Sequence, residues 1–459
     1  MSNPGDADST PITSIKELAD YFAAGCKPRA QFRIGTEHEK FGFRRSDLTP
    51  PPYLPADGQP GSIRDLLVGL QQFDGTPILD DDQIIGLKQG SGAISLEPAG
   101  QLELSGGPLE TLHETAAELA SHYEQVRAVS RNLDIGFSAL GFHPLASRAE
   151  MPWMPKGRYR IMRRYMPLVG TLGLDMMTRT CTVQVNLDYE SEQDMLRKLR
   201  VSLLLQPLAT ALFANSPFTE GRPNGFQSYR AHVWTDTDNQ RSGIPPVMFE
   251  DGFGFERYAA WLVDAVPMYF IYRNGNYIDV AGSSFREFIA GHLHNVTGEV
   301  ATLGDFADHV TTVFTDVRLK RFLEMRGADA GRSDMMLAQS ALWVGLLYDD
   351  AALAAAESLL RGTTWQDAVA LRAAVPRQGL ETPWQGGTLR DLARQVVTIA
   401  TDGLRARNRR NAAGQDESIF LAPLAEIAEG APNQATRWLE RYRVDWHGDV
   451  RHIFAESEI

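Results

Sequence analysis

Cysteine is nearly absent. The 459 residues include two, Cys26 and Cys181, so no disulfide framework holds the chain together, and the composition fits a reducing compartment. A net basic balance is also lacking: 45 Lys and Arg stand against 58 Asp and Glu, a formal charge of -13. Nucleic acid and anionic membranes, which both attract basic faces, are therefore excluded as main partners. No run of about 18 apolar residues occurs, so no membrane-spanning helix is expected. The first residues have no basic segment followed by an apolar run, which predicts a loose tail over 1–13, no secretory signal and a cytoplasmic location. Without such a signal the Asn295-Val296-Thr297 sequon carries no information. Gly86, Gly90 and Gly92 lack the Gly-Lys-Ser/Thr ending of a P-loop and read as a turn.

What is present is the composition of a globular protein, 43% hydrophobic and 22% charged, on a chain long enough for a sizeable core. No repeat, low-complexity tract or linker divides it. The expectation is one catalytic domain over 14–459, with the sheet and site in 14–330 and a mainly helical layer in 331–459.

The stretch from Gln31 to Phe43 is apolar and β-prone, yet carries Glu37 and Glu39. On a strand these two acids share a face about 6.6 Å apart. At an effective dielectric near 20 they repel by about 2.5 kcal/mol, so they are either solvated or bridged by a cation. Magnesium suits such a pair, since it takes one or two carboxylates together with water and substrate phosphates. Leu96-Glu97, a Pro98-Ala99-Gly100 turn and Gln101 to Ser105 read as a hairpin that brings Glu97 and Glu103 together. Thr182, Gln184 and Asn186 alternate with Val183, Val185 and Leu187, so polar groups face one way and the core the other. Arg318 to Asp329 read as one strand places Glu324 and Arg326 on a shared face.

Other segments frame these strands. Ser14 with Glu17 reads as a capping box, Ser62 to Phe73 as a helix, and Pro108 as the start of a helix to about Leu133. Ile135 to Phe142 reads as a strand, and Ser191 caps a helix from Glu192 to Ala214. Lys156, Arg158, Arg160, Arg163 and Arg164 crowd one short segment of an acidic protein, which suggests an anion such as a carboxylate or phosphate. A later loop carries Arg230 and Trp234. Four strands thus present ligands on one face, the arrangement that ATP-dependent activation of a substrate group needs.

Gly35-Thr-Glu-His-Glu-Lys-Phe-Gly-Phe43, Ser95-Leu-Glu-Pro-Ala-Gly-Gln-Leu-Glu-Leu-Ser105, Pro155-Lys-Gly-Arg-Tyr-Arg-Ile-Met162, Gly170-Thr-Leu-Gly-Leu-Asp-Met-Met177, Thr180-Cys-Thr-Val-Gln-Val-Asn-Leu187, Phe213-Ala-Asn-Ser-Pro-Phe-Thr-Glu220 and Arg318-Leu-Lys-Arg-Phe-Leu-Glu-Met-Arg-Gly-Ala-Asp329 resemble the glutamate-cysteine ligases of the plant and proteobacterial type. The resemblance implies an α+β fold with a glutamine-synthetase-like antiparallel sheet, open on its ligand face and covered by helices on the other. It implies that ATP phosphorylates the γ-carboxylate of L-glutamate and that the amine of L-cysteine displaces the phosphate. It further implies magnesium on Glu37, Glu39, Glu97, Glu103, Glu324 and Gln184, and the nucleotide at Arg326, Asn186 and Arg321. Glutamate would lie at Arg158, Arg230 and Trp234, with Arg326, Glu103 and Glu324 catalytic. Feedback inhibition by glutathione and a monomer or homodimer belong to the same picture. The regulatory disulfide pair of plant members is not reproduced by Cys26 and Cys181. The rival readings are another glutamate-amine ligase and a silent magnesium- or nucleotide-binding protein.

Overall fold

The computed structural model describes residues 8–55, 61–293, 296 and 298–459. Positions 1–7 of the expected tail, and Asn295 and Thr297 of the sequon, lie outside the described residues. In the described part of that tail Ile12 is buried and its N–H donates to the Ala301 carbonyl at 2.9 Å, while its neighbours are exposed.

Among the described residues nine strands form the central sheet: β1 (Ile34–Arg44), β2 (Thr76–Asp80), β3 (Gln83–Gln89), β4 (Gly92–Leu96), β5 (Leu102–Ser105), β6 (Ile135–Ser138), β7 (Thr182–Leu187), β8 (Val317–Leu319) and β9 (Leu323–Asp329). Their order is β8-β9-β7-β1-β5-β4-β3-β2, with β6 also paired to β1, and every pairing is antiparallel. The expected α+β class, an antiparallel sheet with a polar ligand face and helices behind it, is the one found. β1 lies at its centre, and its register fixes the site. Glu39 stands opposite Glu103 of β5, and Glu37 opposite Gln184 of β7.

On the other face, alternation sends Ile34, Val183, Val185, Leu187, Leu323 and Met325 into the main core. Helices Glu192–Leu212 and Ser333–Leu347 cover them, and Leu389–Arg407 packs on the outside of Ser333–Leu347. Each such buried aliphatic side chain contributes about 1.5–3 kcal/mol, which holds the register that aims the polar face. Leu87, Ile94, Leu96, Leu102 and Leu104 form a second core with Ile63, Leu66 and Val126. Among the described residues no helix is long and apolar enough to cross a membrane.

Several boundaries differ from expectation for local reasons. The helix expected from Pro108 begins at Leu112, because Thr111 and Glu114 close a reciprocal capping box there. Glu17 does not close a box with Ser14; it turns back to the N–H of Thr13 at 2.8 Å. The strand expected to reach Phe142 ends at Ser138. Arg318 to Asp329 is not one strand but the antiparallel pair β8 and β9, joined by a turn over 320–322. β9 carries a bulge between Met325 and Ala328. A bulge re-aims the residues on it, and here those are Arg326 and Gly327. Gln206 packs closely on Gly327: its Oε1 accepts the Gly327 N–H at 2.8 Å, and a Cβ there would come within 2.2 Å of that oxygen and displace it.

Candidate active site

The polar face of β1, β5, β7 and β9 floors a cavity of about 100 Å³. Its walls come from three short helices: α1 (Gly157–Val169), α2 (Gly173–Arg179) and α3 (Tyr229–Val233). Glu37, Glu39, Glu97, Glu103, Gln184, Arg158, Arg230, Trp234 and Arg326 all line it. A smaller lobe of about 30 Å³ shares Arg230, Trp234 and Arg326 with the first and adds Arg372 and Asp316.

Carboxylates are concentrated at the floor. The turn that delivers Glu97 closes with the Gly100 N–H on the Glu97 carbonyl at 2.9 Å, and Gly100 takes the positive φ of 85° that the turn requires. Burial, and then the neighbouring Glu103, push the Glu97 carboxyl up to about 7. Burial with Glu97 and Glu103 likewise pushes Glu39 well above the usual carboxylate range, although its Oε2 accepts the Thr182 N–H at 2.9 Å. Glu103 accepts from Ser105, and Tyr159 donates to Glu97 at 3.3 Å. Lys156 is the nearby counterion, 2% exposed, with Nζ donating to the Leu96 carbonyl at 2.6 Å. Burial pulls this ammonium down to about 8 against the attraction of Glu97 and Glu103.

Arginines lie at the ends. Arg158 is buried at the start of α1 with its guanidinium 5.1 Å from the Phe270 ring, and its Nε has no hydrogen-bond partner among the described residues. Arg230 donates Nη2 to the Arg326 carbonyl at 2.9 Å, while its Nε is also without a partner. Buried donors of this kind call for an anion. Arg326, re-aimed by the bulge, donates to Gln184 and to Glu324.

Glu324 is set differently from the other acids. It is fully buried, lies behind the cavity wall, and holds Arg318 at 2.7 Å, Lys320 at 2.9 Å and Arg326 at 2.6 Å. Asn186 also lies off the lining, donating Nδ2 to Glu37 at 2.9 Å. Arg321 is apart from the site: it is exposed on the turn between β8 and β9, with its guanidinium 4.5 Å from the Tyr21 ring. Of the basic segment only Lys156 and Arg158 face inward; Arg163 stacks on Trp153 and Arg164 pairs with Asp279. Sequence reasoning gave no role to Arg318, which lines the cavity, or to Arg372, whose Nε binds Asp316 at 2.8 Å. Their spacing gives no local pattern; a buried acid needing three cations is the signal that would have found Arg318.

The overall arrangement is that of a solved glutamate-cysteine ligase from Francisella tularensis in complex with AMP, with a TM-score of 0.56 over 93% of this chain and 87% of that one. At 12% identity this likeness shows the fold, an α+β ligase-type sheet. Residues 33–456 match glutamate-cysteine ligase family 2, and the chain belongs to that family. It is 51% identical over 447 residues to the chloroplastic glutamate-cysteine ligase of Medicago truncatula, covering 97% of this chain and 85% of that protein. The Arabidopsis thaliana enzyme gives 51% identity over the same 97%, and 83% of its own length. The cytoplasmic expectation is corrected by these relatives, which are chloroplastic. A low cysteine count fits any reducing compartment and does not distinguish one from another.

Proposed function

We propose that this chain ligates the γ-carboxylate of L-glutamate to the amine of L-cysteine at the expense of ATP, through γ-glutamyl phosphate, giving γ-glutamylcysteine, ADP and phosphate. One observation carries the reading. In a member of this family, a cavity floored by crowded carboxylates lies between buried arginines, Arg158 and Arg230, whose Nε donors have no partner among the described residues.

The donor set suits magnesium. Burial and mutual repulsion push the Glu97 and Glu39 carboxyls upward, and a divalent cation relieves that repulsion. Among the described residues no three acid, imidazole or thiol ligands form a closed cage. Magnesium takes one or two carboxylates and completes its shell with water and phosphate oxygens, so it does not need such a cage. One or two of Glu37, Glu39, Glu97 and Glu103, with Gln184 beside them, would hold the ion. When bound, it supplies neutralising charge to the phosphates and to the transferring phosphoryl group.

The remaining roles fall to the chain itself. Arg158 and Arg230 bind the α-carboxylate of glutamate, and Trp234 walls the same end, so the γ-carboxylate is directed toward the carboxylate floor. Arg326 faces the transferring phosphoryl group and stabilises negative charge that grows there in the transition state. Glu324, with Arg318 and Lys320, fixes the Arg326 side chain so that it reorients little during the reaction. Cys181 takes no part: it is buried with Phe41, Phe43 and Leu140, and burial pushes its thiol well above the usual range.

The test is ADP release by the purified protein with magnesium, ATP and L-glutamate, with and without L-cysteine, and the product read by mass. Cysteine-dependent ADP together with γ-glutamylcysteine is the expected result. ADP dependent on a different amine moves the acceptor, and no ADP under any combination overturns the reading.

A further inference from the structure

Asp329 touches neither cavity lobe, yet the helix that carries Arg230 hangs from it. Its side chain ends β9 and is 2% exposed. Oδ2 accepts the Asn215 N–H at 2.8 Å and the Ser216 hydroxyl at 2.7 Å, and Oδ1 accepts the Ser228 hydroxyl at 2.8 Å. Each hydroxyl then accepts in turn. Ser216 Oγ takes the Arg230 N–H at 3.2 Å, and Ser228 Oγ caps α3 by taking the Ala231 N–H at 3.1 Å. A Cβ on Gly141 would fall within 2.3 Å of the Asp329 Cγ, so the carboxylate packs directly against the Gly141 backbone. Asn215 anchors the far side, with Nδ2 on the carbonyls of Ala139 at 3.1 Å and Ala330 at 2.8 Å.

We propose that Asp329 is a positioning residue for the glutamate site. Through Ser216 and Ser228 it fixes the first turn of α3, and so the direction in which the Arg230 guanidinium meets the substrate carboxylate. This rests on the assignment of Arg230 made under Proposed function. A guanidinium fixed in advance binds a carboxylate without first being ordered, whereas a loosened one must be ordered by the substrate. A purely structural Asp329 would affect the melting temperature and leave substrate constants alone.

Steady-state kinetics and calorimetric binding of L-glutamate to the full chain separate these roles. Asp329→Asn keeps the shape and removes the charge. It is expected to raise the KM and Kd for glutamate about 10- to 100-fold, the range of a hydrogen-bonded charge, with the KM for ATP moving less than about 3-fold. Ser228→Ala, which keeps the carboxylate, is expected to raise the same constants about 3- to 10-fold, and it carries the test if Asp329→Asn does not fold. In an Arg230→Lys background the effect of Asp329→Asn should shrink toward none, because the group being aimed is gone. A folded Asp329→Asn protein with unchanged glutamate constants, or with glutamate and ATP constants rising together, overturns the proposal. If the parent protein itself does not bind glutamate, the assignment of Arg230 falls and the proposal falls with it.

Discussion

Glu97 at one corner of the sheet and Glu324 at another hold the same chemical group in opposite states. At Glu97, burial and the adjacent Glu103 raise the carboxyl to about 7, and Lys156 offsets only part of the crowding. At Glu324, burial also pushes upward, yet Arg318, Lys320 and Arg326 together hold the carboxyl well below its usual range. The first corner is short of positive charge and the second already has it. A divalent cation therefore gains most at the first, while the second works as an anchor that aims Arg326. Carboxylates counted on a sheet face are thus not equivalent as candidate metal ligands; their existing partners decide.

The sharpest way to break this comparison is to exchange one acid at each corner. Glu103→Gln should keep the fold and lower turnover by about 100- to 1000-fold, the scale of removing one preplaced charge-stabilising group, measured as ADP release. Glu324→Ala should act on stability as well as on turnover. It leaves three cations facing a buried vacancy, and breaking a buried ion pair costs about 3–5 kcal/mol, to be read from denaturant melts. Near-equal effects of both substitutions on both readouts would dissolve the distinction.

The two corners should also respond to pH with opposite signs. Glu97 has its carboxyl raised from 4.5 to about 7 on folding, so its contribution is fully present below 4.5 and lost as pH rises through about 7. Glu324 has its carboxyl depressed, so its contribution is present above the unfolded value and lost as pH falls into the acid range. Magnesium should therefore raise the melting temperature more at about pH 8, above the Glu97 value of about 7, than at about pH 5.5, where binding must displace its proton. An equal shift at both pH values would place the ion elsewhere. The smallest effect is expected at Arg321, which stacks on Tyr21 outside the cavity: Arg321→Ala should change turnover and the KM for ATP by less than about 2-fold, as surface substitutions away from a site do.

Much of this arrangement was legible in the chain because strand alternation is local. Glu37 with Glu39, Leu102 with Leu104, and Gln184 against Val183 and Val185 each declare a face within a few residues, and the hairpin through Gly100 joins two of those faces. What alternation does not encode is whether a chain folds back. Arg318 to Asp329 alternates well enough to read as one strand, but the turn over 320–322 splits it, and that turn puts Arg321 out in solvent. The bulge at Arg326 and Gly327 was equally hidden, since Gln206, which holds it, lies on a helix far away in sequence. The partners of Asp329 are likewise contributed by segments more than a hundred residues distant, so a buried acid of that kind shows itself only in three dimensions.

The most direct test of the central claim follows an oxygen atom. If γ-glutamyl phosphate forms in this cavity, L-glutamate labelled with heavy oxygen in its γ-carboxylate must pass one labelled oxygen to inorganic phosphate during cysteine-dependent turnover, seen by mass or by the isotope shift of the phosphorus resonance. Phosphate that leaves without label while γ-glutamylcysteine accumulates would contradict the account.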